Sequence, residues 1–133
     1  MNSREASKEL LEEARLILEK DISSAEEAGN HRLVLRRSQE VVELVIKAFI
    51  KATGYEYPKI HDPSPLITRI CQEKEIGLAM ETIEIIQKAS STLAEERAPA
   101  FYAERSYTSN EAKEAKTSAE FVFKTLCKII QQA

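Results

Sequence analysis

Tryptophan is absent from this chain of 133 residues, glycine occurs three times, and cysteine and histidine twice each. Each scarcity closes off a class of chemistry. Three isolated glycines make no Gly-rich phosphate cradle, which needs successive residues free to turn their N–H groups toward an anion. Cys71 and Cys127 lie far apart among apolar neighbours, a pattern of buried thiols in a reducing compartment rather than a disulfide framework or metal knuckle. Neither His31 nor His61 has a glutamate three residues before it, so the Glu-x-x-His pairs of a ferritin-like di-metal bundle are missing. His31 stands at a helix start and His61 in a loop, unlike the exposed mid-helix histidine of a phosphotransfer bundle. No segment approaches the roughly 20 apolar residues of a membrane span. The N-terminal MNSREASKELLEEARLIL is charged at every turn, unlike a signal peptide. With 19 basic and 22 acidic residues the net charge is −3, so no global positive field advertises nucleic acid, and only a local basic patch stays open. These absences together predict a cytoplasmic protein with no metal, no cofactor and no membrane partner.

What is present is helical. Leu11, Ala14, Leu18, Ile22 and Ala25 recur at spacings of three and four against Glu, Lys and Arg, and Ala28-Gly29-Asn30 supplies a left-handed stop. A second helix begins near His31 and carries VVELVIKAFI, greasy on most sides and therefore central. One polar ridge runs along it: Arg36, Glu40, Glu43, Lys47 and Lys51, read as a salt-bridged solvent edge. Ala52-Thr53-Gly54 ends it. Ser64 and Pro65 then open a short helix through Leu66, Ile67, Ile70 and Cys71, with Gly77 expected at its end. A fourth helix aligns Ala79, Ile83, Ile86, Ser90 and Leu93, and the same stripe continues to Arg97. Pro99 is expected to break it, leaving APAFYAERSY as an aromatic- and arginine-rich junction. Thr108 and Glu111 form a capping-box pair for a last helix lined by Ala112, Ala115, Ala119, Val122, Leu126 and Ile129. The predicted fold is all-α: one domain over residues 1–133, an antiparallel up-and-down bundle of four long helices plus one short one.

The segment YEYPKIHDPSPLI, residues 55–67, holds three of the four prolines. It reads as a stiff corner in which Asp62 or Ser64 caps the short helix and His61 bonds to nearby backbone. The other reading places His61 on the rim of a cleft with Arg97 and the tyrosines. Arg97 itself, a permanent charge on an inward stripe, requires compensation, either from Glu40 or Glu43 or from a bound phosphate.

Taken in order, these residues resemble the HEPN domain (higher eukaryotes and prokaryotes nucleotide-binding), nearest to its small stand-alone prokaryotic members. The correspondence runs through Ser38, Gln39, Glu43, Lys47, Ala48, Gly54, Pro58, His61 and Asp62 in the second helix and corner, and through ERAPAFYAERSYTSNEA before the last helix. The resemblance implies a helical bundle that pairs with itself and is often encoded beside a minimal nucleotidyltransferase. In some branches it implies a metal-independent ribonuclease or toxin.

Catalytic branches carry an arginine, then four to six residues, then a histidine. With four to six residues between, the histidine after Arg97 would fall at Tyr102, Ala103 or Glu104, and Arg105 has no histidine after it. No catalytic residue is assigned, and Arg97, Tyr102, Arg105 and His61 are the candidates for holding nucleotide or phosphate. Two function classes stand: a nucleotide- or RNA-associated regulatory partner of a nucleotidyltransferase in a toxin–antitoxin-like system, and a ribonuclease toxin with a non-standard site. A homodimer is expected because the alanines of the last helix and the apolar surplus of the second exceed what one small bundle hides.

Overall fold

The computed structural model describes residues 1–132. Its helices are α1 (Ser3–Leu16), a π-helical turn (Ile17–Asp21), α2 (Ile22–Glu27), α3 (His31–Ala52), α4 (Leu66–Glu73), α5 (Met80–Phe101) and α6 (Ser109–Gln132). Because α1, the π turn and α2 run on without a break, the architecture is four long helices and one short one, and no strand occurs among the described residues.

The π turn shifts the register of the buried stripe. Buried positions step by three from Ala14 to Ile17 and then by five to Ile22, and the wider turn spans that longer step. It buries Ile17 in place of the expected Leu18 and returns Ile22 and Ala25 to full burial. Gly29 then takes φ 66° and Asn30 accepts from the Leu33 N–H at 3.1 Å, closing one helix and capping the next.

Helix α3 is the hub, packing against α6, α1 and α5 in decreasing extent. Val34, Val41, Val42, Val45, Ile46, Phe49 and Ile50 are all buried along it. Ser7 of α1 meets Ala48, and α5 descends past α3 so that Ser90 lies near the proline corner while Ala100 reaches Arg32. Helices α1 and α5 therefore run antiparallel to α3, and α6 runs parallel to it as the diagonal neighbour. Ala112, Ala115 and Ala119 are buried and let that diagonal pair approach closely. The surplus apolar surface that led to the expectation of a dimer is thus largely consumed within one chain.

Three expectations are corrected. Pro99 does not break α5, which continues to Phe101. In the last turn a proline forfeits one N–H bond, and the Tyr102 N–H still reaches Ala98 O at 2.9 Å. Gly77 is not the left-handed stop after α4. Glu75 takes that conformation at φ 52°, and the chain has already left the helix. Finally, α4 starts at Leu66 with no side-chain cap, so Asp62 and Ser64 do other work.

Candidate functional site

The corner is a clamp. Asp62 Oδ1 accepts from the Ser64 N–H at 3.2 Å, the Ser64 hydroxyl at 2.6 Å and the Ser90 hydroxyl of α5 at 2.6 Å. Ser64 and Ser90 are buried, so these bonds satisfy hydroxyls that water does not reach. Gln87 adds donations to Ser64 O at 3.1 Å and to Thr68 Oγ1 at 2.9 Å. Three prolines stiffen the loop, and Asp62 and Gln87 fasten it to α5.

His61, one residue earlier, faces α3 instead. Its Nδ1 lies 3.0 Å from Glu43 Oε1, which replaces the backbone partner expected for it. Glu43 also accepts from Gln39 Nε2 at 2.9 Å and Lys47 Nζ at 2.7 Å. Burial acts on the Glu43 carboxyl in the upward direction. The hydrogen bonds from Lys47 and Gln39, the charge of Lys47 and the contact with His61 outweigh it and hold the carboxyl below the usual range.

The lower half of the polar ridge is consequently no solvent edge: Lys47 and Glu43 are tucked under the corner, with Tyr57 beneath both Lys47 and Lys51. His61 remains 55% exposed at the rim. Beside it, the Ser38 hydroxyl and Gln39 Oε1 are buried without a hydrogen-bond partner.

The second junction, where α5 ends, is held by a different set. Arg105 pairs with Glu96 Oε1 at 3.2 Å and with Glu111, and its guanidinium lies 4.3 Å from the Tyr107 ring centre. Tyr107 donates to Glu96 at 2.6 Å, and burial, followed by that carboxylate, pushes its phenol up to about 12. Thr108 and Glu111 exchange the reciprocal bonds of a capping box at 3.0 and 3.1 Å. Arg105 is therefore engaged on both edges of its guanidinium, leaving it no open fork for a phosphate.

Toward α3, Arg32 donates to Ala100 O at 2.7 Å and so caps the C-terminal carbonyls of α5. Arg36 lies 4.7 Å from the Phe101 ring centre, and Phe101 meets Tyr102 edge-on. Tyr102 is 69% exposed. Arg97 is half-buried, one turn before Phe101 and two turns after Ser90. The carboxylates proposed to compensate it are occupied elsewhere, Glu40 by Arg37 and Glu43 by Lys47.

Four candidate residues thus fall in three settings. His61 belongs to the corner, Arg105 to the carboxylate knot, and Arg97 with Tyr102 to a cationic and aromatic rim. The corner and the rim share the α3–α5 seam without touching: Glu43 and Arg36 are two turns apart, roughly 10 Å along α3. Arg32 carries no local signal, and the pairing of Arg36 with Phe101 is invisible in the sequence. Arg36 was legible only as part of the ridge, and its partner Phe101 lies 65 positions away.

An all-helical bundle with a clamped proline corner and an arginine- and tyrosine-rich junction before its last helix defines the class of protein. Residues 4–130 match the HEPN domain, and the chain belongs to that family. A nucleotide- or RNA-related function goes with the membership. No curated protein and no solved structure matches the chain. Among the described residues no group of His, Cys, Asp and Glu is arranged to hold a metal ion, and no helix is long and apolar enough to cross a membrane.

Proposed function

We propose that this HEPN protein is a cytoplasmic nucleotide- or RNA-binding regulatory module, a homodimer that partners a minimal nucleotidyltransferase in a toxin–antitoxin-like system. The observation that carries the binding role is the rim formed by Arg97, Arg36, Phe101 and Tyr102. A half-buried arginine whose candidate partners Glu40 and Glu43 are taken, one turn along α5 from a phenylalanine stacked on a second arginine and from an exposed tyrosine, suits a phosphate with an adjacent base. The homodimer reading rests on a groove of about 480 Å³ between α5 and α6, where Ile85 and Phe121 stand exposed over Leu35 and Leu93.

The ribonuclease reading has less support. His61 is turned onto Glu43, two turns along α3 from Arg36.

The test titrates nucleotides and short RNA at low salt into wild type and Arg97→Ala. Loss of one charge-assisted phosphate contact should weaken binding by about 1.5–3 kcal/mol with little change in melting temperature. If neither protein binds and the variant melts earlier, Arg97 is structural and the binding role falls.

A further inference from the structure

Helices α1 and α5 rest on α3 and barely touch α6, which leaves a groove on each flank of α6. The groove beside α1 is basic. It is a concavity of about 650 Å³ where the start of α1 meets the C-terminal ends of α3 and α6, lined by Arg4, Lys8, Arg15 and Lys51 against the single carboxylate of Glu12. The chain as a whole carries net negative charge, so this is a local reversal of sign.

Two of the cations are placed against local preference. Arg4 sits in the first turn of α1, where the helix dipole disfavours positive charge, and four residues from Lys8, where like charges repel. The cations that have partners hold them loosely or outside the groove. Arg15 Nε lies 3.5 Å from Glu12 Oε2 without forming a hydrogen bond, with its guanidinium 5.8 Å from the Phe123 ring centre, while Lys51 reaches out to exposed Glu56 at 3.0 Å. Arg4 and Lys8 enter no ion pair among the described residues.

The wall is fixed, because the buried Ser7 hydroxyl between Arg4 and Lys8 donates to Ala48 O of α3 at 2.7 Å. Leu11 and Ile130 supply an apolar side. Local rules broken at one concave, anchored spot are what a binding site looks like.

We infer that this groove is a second anion site, one that takes a compact organic polyphosphate: several phosphate charges on the arginine and lysine wall, and a small apolar moiety against Leu11 and Ile130. It lies at the far end of the bundle from the Arg97 rim, about 22 Å along α3 from Arg36 to Lys51, and stands independently of the function proposed for that rim. A concavity of about 650 Å³ has the size of a small-ligand site.

Melting curves with inorganic tripolyphosphate, with sulfate at matched ionic strength, and with a short single-stranded RNA test it. In an Arg97→Ala background, which disables the rim, tripolyphosphate should raise the melting temperature by several degrees. It should not do so once the double substitution Arg4→Gln, Lys8→Gln is added to that background, at exposed positions that keep their helix propensity. Lys8→Gln alone, its fold checked by its ligand-free melt, should shift half-saturation to higher ligand. Methyl signals of Leu11 and Ile130 should move on titration. Equal stabilisation by sulfate, a shift retained in the double variant, or protection by RNA but not tripolyphosphate would each overturn the assignment.

Discussion

Replacing Asp62 by alanine should remove the fastening between the proline corner and α5. One carboxylate oxygen accepts from two hydroxyls, those of Ser64 and Ser90, each 2.6 Å away and each on a buried residue. A hydrogen bond to a charged group contributes about 1.5–3 kcal/mol, and a buried donor left without an acceptor costs about 1–3 kcal/mol. The two bonds share an oxygen and will not add in full, so the loss should be about 2–4 kcal/mol. In a domain of this size that corresponds to roughly 10 °C in melting temperature.

Chemical denaturation of Asp62→Ala, Ser90→Ala and the double variant measures it. Ser90→Ala alone should cost about 1.5 kcal/mol. The double variant should be little worse than Asp62→Ala, because the orphaned Ser90 hydroxyl is gone, giving a coupling of at least about 1 kcal/mol. A cost for Asp62→Ala below about 0.5 kcal/mol, or a coupling near zero, would refute the clamp.

The Glu43 network makes stability depend on acid. Its carboxyl is held below the usual range in the fold, so its contribution is complete above the unfolded-state value near 4.3 and is lost as pH falls through the lower folded value. Unfolding free energy measured from pH 6 down to 3 should fall less steeply in Glu43→Gln than in wild type, and parallel curves would contradict the network. Gly54→Ala should destabilise by about 1 kcal/mol or more in denaturant melts, because φ is 91° there, whereas Gly77→Ala, with ordinary φ and open space around it, should be neutral or slightly stabilising. Equal effects at both glycines would contradict the turn assignments. Sedimentation should give twice the 15.0 kDa chain mass for wild type, and Ile85→Lys with Phe121→Glu should give one chain mass without loss of helix. A wild-type monomer at tens of micromolar would remove the proposed dimer.

What the sequence displayed and what it hid divide along the range of the interactions. The Thr108–Glu111 capping box, the Gly29 and Gly54 stops and the alanine face of α6 all depend on residues within a few positions of one another, and all are present. The π turn had no signal in the ordinary three-four spacing of that stripe, and the core decides that Ile17 rather than Leu18 turns inward. Pro99 misled because a proline is costly in mid-helix and cheap in a final turn, and α5 ends where Ala103 turns left-handed at φ 54° and Arg32 caps Ala100 O.

The site residues depended on long-range pairing. Arg105 was a free cation on paper and is closed by Glu96 and Glu111. His61 and Asp62, adjacent in the chain, part to opposite helices, one to Glu43 of α3 and the other to Ser90 of α5. No local pattern distinguishes those outcomes.

The central claim is that the seam where Arg36, Arg97, Phe101 and Tyr102 converge binds phosphate-bearing nucleotide or RNA. The most direct measurement is a map of amide and side-chain NMR shifts as a short RNA is titrated in at low salt. The account predicts that the largest changes fall on Arg36, Arg97, Phe101 and Tyr102, with Arg105 and Glu111 little moved. Shifts confined to the basic groove beside α1, or no shifts at all, would contradict it.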